Sequence, residues 1–439
     1  MSENTFNVIE KTVEFTTRNH YIDVEDKVPI FICSIGAHLF NSLNKCSRCD
    51  FDPDSPLVDE ENDFVIENCP LRHNNIPFYT PMSQLPDTRI HLMLRGAKGS
   101  GKSILILTFL AEGTGLLHSA NADMGHGART MLGPNSVTEA GMFGSVDEDG
   151  NIMGRPLARE MCGGFLGFEE FSSMSDASKK EHSLDMKNQL LTSLDNGRVQ
   201  KALRAGWVSY TTRYTIWAGT QPARFELESG LDRRFFIIDI EMTPEKERRY
   251  KVAQHAQANM ANEERLELAN LSIEIKDWIR DRMAYAVTNP PTGVIFNDDI
   301  AEWIEHPSVR SFEADLFRRL CIGYHMMQPS YVGGGPLIIT LDETLLEILN
   351  TSLAMRRTVM DADLELIRTT FWMKDLPKSD VVKEVSRMVT NGDYQSAKRW
   401  IIENLEGQSW YTEVEPQHTS RRGRKGMLCR FGTNVGDLE

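Results

Sequence analysis

Arg89-Ile90-His91-Leu92-Met93-Leu94-Arg95 runs directly into Gly96-Ala97-Lys98-Gly99-Ser100-Gly101-Lys102-Ser103, followed by Ile104-Leu105-Ile106-Leu107. The first segment alternates apolar and polar side chains, as a strand does. The second fits G-x-x-x-x-G-K-[S/T]. The third opens an apolar helix. A strand before the motif and a helix after it distinguish a phosphate-binding loop from a chance glycine-rich turn. The glycines let successive backbone N–H groups turn toward phosphate oxygens, and the helix N-terminus adds a favourable dipole. In such a loop Lys102 reaches the β- and γ-phosphates and the Ser103 hydroxyl binds Mg²⁺, so ATP and Mg²⁺ are the expected ligands.

A nucleotide hydrolase also needs an acid near the metal and an acid to polarise the attacking water. Gly163-Gly164-Phe165-Leu166-Gly167-Phe168-Glu169-Glu170 is an apolar strand ending in two carboxylates. Glu169 suits the metal and Glu170 the water; two solvated acids at a strand end are the plain alternative. Thr215-Ile216-Trp217-Ala218-Gly219-Thr220 reads as a further strand ending in Gln221, an amide that can orient a water or cap the strand. Arg233 and Arg234 precede another apolar strand, Phe235 to Ile240. An arginine there can stabilise phosphoryl charge in a neighbouring subunit or simply pair with Asp232 or Glu228. Between the acids and these last two strands, Arg198 through Val208 reads as a hairpin with its turn near Ala205-Gly206, a solvated hairpin being the plain alternative. Arg198 through Arg213 holds four basic residues and no acid. The alternation of strands and helices from about residue 87 to 360 is the α/β signature.

Forty-eight basic against 63 acidic residues give a net charge of −15 over 439 residues. Bulk charge therefore excludes a general nucleic-acid binder, and any DNA contact must come from local basic patches such as this hairpin. No apolar run approaches the ~20 residues a membrane span needs. The N-terminus lacks a basic region followed by an apolar one, so the expected location is intracellular and cytoplasmic, with no membrane partner.

The order of these motifs from Pro86 to Ile240 resembles the ATPase core of the minichromosome maintenance (MCM) helicases, within the AAA+ superfamily. Thr138 to Asn151 resembles that family's helix-2 insert and Gly163 to Met174 its Walker B stretch. Arg204-Ala205-Gly206 is similar to the Lys-Ala-Gly turn of its DNA-tracking hairpin, Gln221-Pro222 to its sensor-1 Asn-Pro, and Arg233-Arg234-Phe235 to its Ser-Arg-Phe. The resemblance implies that Arg234 is the arginine finger and that Lys201 and Arg204 meet DNA. It also implies a homo-oligomeric ring, a hexamer, acting as a helicase on single-stranded or forked DNA. Glu169, Gln221 and Arg204 replace the family's Asp, Asn and Lys. The sensor-2 arginine has no counterpart at the acidic Thr340-Leu341-Asp342-Glu343, although Arg356 and Arg357 are nearby. About 86 residues precede the core, too few for the family's N-terminal region with a complete OB fold, so the expectation is a reduced, viral or mobile-element type.

Two flanking modules are expected. Cys46 and Cys49 form a C-x₂-C, and Cys69 and His73 a C-x₃-H after nineteen intervening residues. Two close ligand pairs of this kind suit a structural Zn²⁺ site in a module spanning 1–86, with Cys33 an alternative to His73 and reduced thiols the plain reading. Asp50 to Glu67 holds eight acids and no base, which favours a subunit contact over phosphate for this module. At the other end, apolar periodicity at Val381, Val382, Val385, Met388 and Val389, then at Ala397, Ile401 and Leu405, predicts two helices. Apolar segments at 410–414 and 427–431 flank Arg421, Arg422, Arg424 and Lys425, which completes an expected winged helix over 361–439 whose basic tip would touch DNA phosphates. The expected architecture is thus an AAA+ core with a helical lid over 87–360 between these modules. The readings that keep the ATPase but change its task are a protein-remodelling machine and a nucleotide-gated DNA-binding adaptor.

Overall fold

The computed structural model describes residues 6–44, 87–121, 130–134, 137–147, 152–153, 156–161, 163–171, 181–204, 206–221, 233–240, 242–306, 309, 311–371, 374–390, 392–405, 411–414 and 427–431. They fall into two compact units. The first comprises residues up to 225 together with 233–353, and the second comprises 226–232 and 354–439.

The first unit is built on a five-stranded parallel sheet. Its strands, numbered in chain order with the small hairpins between them, are β1 (His91–Gly96), β2 (Thr130–Leu132), β5 (Phe165–Phe168), β8 (Thr215–Thr220) and β9 (Phe235–Ile240), in the spatial order β2-β5-β8-β1-β9. Every residue of β5 and β8 is buried. Strands covered on both faces read as near-continuous apolar runs, which is why the sequence shows these so clearly. The register sets Leu92 beside Trp217 and Phe236, and Gly167 beside Trp217.

Helices Val28–Asn44 and Lys102–Leu110 meet over Trp217. Phe31 stacks on Phe109 with centroids 5.3 Å apart, and both rings meet the Trp217 indole edge-on. Trp217 Nε1 donates to Ser34 Oγ at 2.9 Å, so the buried indole keeps its hydrogen bond. Gly167 packs closely here: a Cβ would lie 2.8 Å from Leu110 Cδ1, so the leucine would have to shift to admit a side chain. Two N-terminal helices, Val8–Arg18 and Val28–Asn44, belong to this unit. The second crosses helix Ser311–Met326 at Gly36 and Gly323.

Charge is buried where the chain enters the sheet. Asp87 accepts from Arg89 Nε at 2.9 Å and pairs with Arg89 Nη2 at 2.6 Å and Arg213 Nη1 at 3.1 Å. Arg89, fully buried, also donates to the carbonyls of Tyr214 and Leu194. Burial alone would raise the Asp87 carboxyl, but Arg89, then Arg213 and Arg319, override it and hold it well below the usual carboxylate range.

Two antiparallel hairpins project from this framework: β3 (Ser145–Val146) with β4 (Ile152–Met153), and β6 (Arg198–Leu203) with β7 (Gly206–Thr211). A parallel pair, β10 (Val294–Phe296) and β11 (Leu337–Ile339), forms a separate small sheet. Helix Asn262–Thr288, 27 residues long, packs on Val8–Arg18, and Phe6, just before that helix, stacks on Trp278.

The second unit has its own core. Ile367, Phe371, Val381, Val385, Ala397, Ile401 and Phe431 are among its buried residues. Helix Lys378–Met388 is followed by Gly392 at φ +92° and then helix Tyr394–Asn404, whose N-cap Asp393 accepts from the amides of Gln395 and Ser396. Strands β12 (Asp375–Pro377), β13 (Tyr411–Val414) and β14 (Leu428–Phe431) form an antiparallel sheet in the order β12-β14-β13. The sequence periodicity announced both helices and the β13–β14 pair but not β12. Among the described residues, no helix is long and apolar enough to cross a membrane.

Candidate nucleotide site

The carboxyl ends of β1, β5 and β8 lie side by side, and ligands of open parallel sheets bind at that edge. Beyond β1 the chain turns through Gly99 and Gly101, both in the left-handed region at φ +82° and +92°. A side chain at Gly96 would collide with Ile240 O and Ser100 Oγ, each 2.6 Å from the Cβ position. Helix Lys102–Leu110 then starts with no side-chain cap. The Ile104 amide bonds back to Gly101 O at 3.1 Å, and a helix start without a side-chain cap is a place where an anion can bind. Ala97, Lys98 and Gly99 are exposed, whereas Ser100 and Lys102 are buried. Lys102 Nζ donates to the carbonyls of Gly96 and Ala97 at 2.7 and 2.8 Å. Burial lowers the Lys102 ammonium, partly offset by the Glu170 carboxylate. Below the loop, the Arg95 guanidinium forks onto both oxygens of Asp239 at 2.6 and 2.7 Å, which joins β1 to β9.

Glu169 and Glu170 follow β5 directly, and Gln221 follows β8. Gln221 Nε2 donates to Glu170 Oε2 at 3.2 Å. Glu170 Oε1 is buried and has no hydrogen-bond partner among the described residues. Glu169 is exposed, and Ser103 is partly exposed. The strand order therefore brings Lys102, Glu170 and Gln221 into one cluster, with Ser103 and Glu169 on the same sheet edge.

Sequence reasoning missed the wall beside this loop. A cavity of about 150 Å³ opens next to Ser100, Gly101 and Ile104, bounded by His20, Tyr21, Val24 and Tyr250. Tyr250, Gln254 and Lys251 also border an open groove over Gly99–Ile104. His20 and Asp23 hold positive φ, +59° and +53°, in the turn that forms the cavity wall. Backbone strain of this kind clusters at ligand sites. Asp23 pairs with Lys246 at 3.1 Å and Arg249 at 3.0 Å, holding helix Pro244–Ala258 against the turn. That helix buries none of its residues. No glycine signature or charge pattern marks these positions, and only the fold assembles them.

The remaining expected residues fall in three places. Arg234 is on the first unit, where it ion-pairs with Asp195 and donates from Nε to Leu191 O at 3.2 Å. Lys201 is tied back into the protein, 3.0 Å from Glu139 and donating to Gly144 O at 2.8 Å. Arg204, at the hairpin turn, is exposed. The last cross-strand pair is Leu203 with Gly206, which moves the turn one residue earlier than the sequence reading. The zinc candidates Cys46, Cys49, Cys69 and His73 and the basic residues Arg421, Arg422, Arg424 and Lys425 lie outside the described residues. Cys33 is fully buried in helix Val28–Asn44, where burial pushes its thiol up and so disfavours a thiolate ligand.

No family model matches this chain, and no curated protein matches it.

Proposed function

We propose that this chain is an MCM-like AAA+ ATPase that works as a ring-shaped DNA translocase or helicase, with ATP bound at subunit interfaces. The observation that carries the ATPase reading is the convergence of the Lys102 loop, Glu170 and Gln221 at one edge of a parallel sheet. The task on DNA rests on the motif order and on the exposed hairpin.

The residues fit a Mg²⁺–nucleoside triphosphate. The uncapped helix start and the left-handed glycines offer amides to phosphate, and Lys102 supplies the compensating cation. The cavity beside Tyr250 is where a base would extend from the phosphates. Ser103 and Glu169 would hold Mg²⁺, whose charge offsets that of the phosphates. Glu170 takes the proton of the attacking water, using the oxygen that Gln221 leaves free, and Gln221 fixes the carboxylate's orientation. Arg234, once released from Asp195, would reach the nucleotide of a neighbouring subunit. The C-terminal unit serves as a winged helix, and Cys46, Cys49, Cys69 and His73 hold structural Zn²⁺ on the strength of their spacing; metal analysis of the purified protein checks the latter.

The deciding experiment measures ATP hydrolysis with and without single-stranded DNA, using Glu170→Gln as the blank. Stimulation by DNA supports a DNA motor. Turnover that is lost in the blank yet indifferent to DNA would keep the ATPase and move its task to protein remodelling. No turnover in the intact chain would remove the enzyme reading.

A further inference from the structure

The β6–β7 hairpin has two unlike faces. Val199, Val208 and Tyr210 turn inward and are buried, and Tyr210 Oη donates to Phe143 O at 3.1 Å. Lys201 is also on this inner side, spent on Glu139 and Gly144. The inner face of the hairpin is thus anchored to the first unit. Its other face carries Gln200, Ala202, Trp207 and Ser209, all exposed, and Arg204 stands exposed at the turn. Trp207 is 72% exposed, directly across from Ala202. A small residue opposite leaves the indole uncovered. Tryptophan is rarely left so open, because its ring gains most by burial against another flat surface. The hairpin holds no carboxylate, and its turn carries the exposed Arg204 three residues before the indole, in a chain of net charge −15.

We propose that Trp207 is a stacking platform for an unpaired nucleobase, with Arg204 engaging the adjoining phosphate. The inference rests on the DNA reading above and narrows its substrate to single strands. A base in a duplex has both faces occupied, whereas a single strand offers a free π-face. Stacking of this kind is tolerant of sequence, since every base has such a face. Arg204 adds the salt-dependent, sequence-independent part of the affinity. Lys201, expected from the sequence to meet DNA, instead anchors the hairpin that presents the other two.

The test uses the full-length chain and a fluorescein-labelled oligothymidine strand, read by anisotropy at low and moderate salt. Trp207→Leu is expected to weaken binding roughly tenfold, as loss of one stacked base does, while Trp207→Phe keeps most of the affinity. A strand of abasic sites should weaken wild-type binding similarly and make no further difference to Trp207→Leu. Wild-type tryptophan emission should be quenched by the strand, with less quenching in Trp207→Phe. Equal affinity of Trp207→Leu and wild type, or equal wild-type affinity for duplex and single strand, would overturn the stacking role and leave the DNA reading standing. A shift in oligomeric size in Trp207→Leu, without a direct loss in the abasic comparison, would assign the indole to a protein contact instead. If the wild type binds no DNA even at low salt, the DNA reading falls and the platform with it.

Discussion

Gln221 Nε2 donates to Glu170 Oε2 at 3.2 Å, so the residue after β8 fixes the carboxylate after β5. The bond occupies one oxygen and leaves Oε1 buried without a partner. A buried acceptor without a donor is costly unless something supplies one, and in the proposed function the attacking water would do so. Glu170→Gln should therefore abolish hydrolysis while sparing nucleotide binding. Gln221→Ala should lower turnover about 10²-fold, the lower end of what a positioned proton acceptor contributes, with little change in affinity. Steady-state hydrolysis and equilibrium binding of a labelled nucleotide separate the two. Loss of binding in Glu170→Gln would show that the carboxylate holds the ligand and does not act on water.

Tyr250 borders both the cavity and the groove over the phosphate loop, and burial, then Tyr21, raises its hydroxyl. Tyr250→Ala should weaken ATP about tenfold but leave binding of inorganic triphosphate unchanged, because only the base loses a wall. Lys102→Ala should abolish binding of both. The measurement is competition of each ligand against a fluorescent nucleotide. Equal losses for ATP and triphosphate in Tyr250→Ala would place the base elsewhere.

Arg234 is held by Asp195 and by Leu191 O. An arginine that serves a neighbouring site must exchange this carboxylate for phosphate. Arg234→Ala should keep nucleotide affinity and reduce turnover ~10³-fold or more. Asp195→Asn removes the competitor and should not reduce turnover. In mixed assemblies, Arg234→Ala subunits should be rescued by Lys102→Ala subunits, since each supplies what the other lacks at a shared interface. Failure of this rescue in oligomers confirmed to be mixed would confine Arg234 to its own subunit.

Strands β5 and β8 were legible because each is buried on both faces and shows as an apolar run ending in a polar residue, whereas β1 was read from an alternation whose polar His91 is buried as well. Glycine spacing made the phosphate loop legible for the same local reason. The edge strand β2, Thr130–Leu132, was not: three half-buried residues carry no period. His20, Tyr21 and Tyr250 also escaped, since a cavity wall drawn from distant segments leaves no local pattern. The partner of Lys201 was not legible either, because Glu139 lies far from it in the chain and meets it only once the hairpin is folded onto the first unit.

Asp87 neutralises a guanidinium that is fully buried. Asp87→Asn leaves Arg89 charged without compensation and should cost roughly 3–5 kcal/mol. The pH dependence has a definite sign. The folded carboxyl sits below its unfolded value, so its stabilisation is complete above about pH 4 and declines as pH falls toward the depressed folded value. Wild-type stability should therefore fall with acid more steeply than that of Asp87→Asn, followed by urea unfolding at several pH values. Parallel acid limbs would mean that the pair contributes nothing to the difference.

The crossing of helices Val28–Asn44 and Ser311–Met326 depends on two glycines. A Cβ at Gly323 would lie 1.9 Å from Cys33 O, and one at Gly36 would lie 2.0 Å from Gly323 O. Both obstacles are backbone, so no rotamer change relieves them and the helices must separate. Overpacking of this sort costs about 1–3 kcal/mol. Gly323→Ala and Gly36→Ala should each lower the unfolding free energy of the first unit by such an amount, read from the denaturation midpoint. The two substitutions force the same separation, so the double variant should cost less than the sum of the singles, a coupling expected of residues that share one backbone shift. Full additivity would mean that each alanine is accommodated locally and that the glycines do not set the helix spacing.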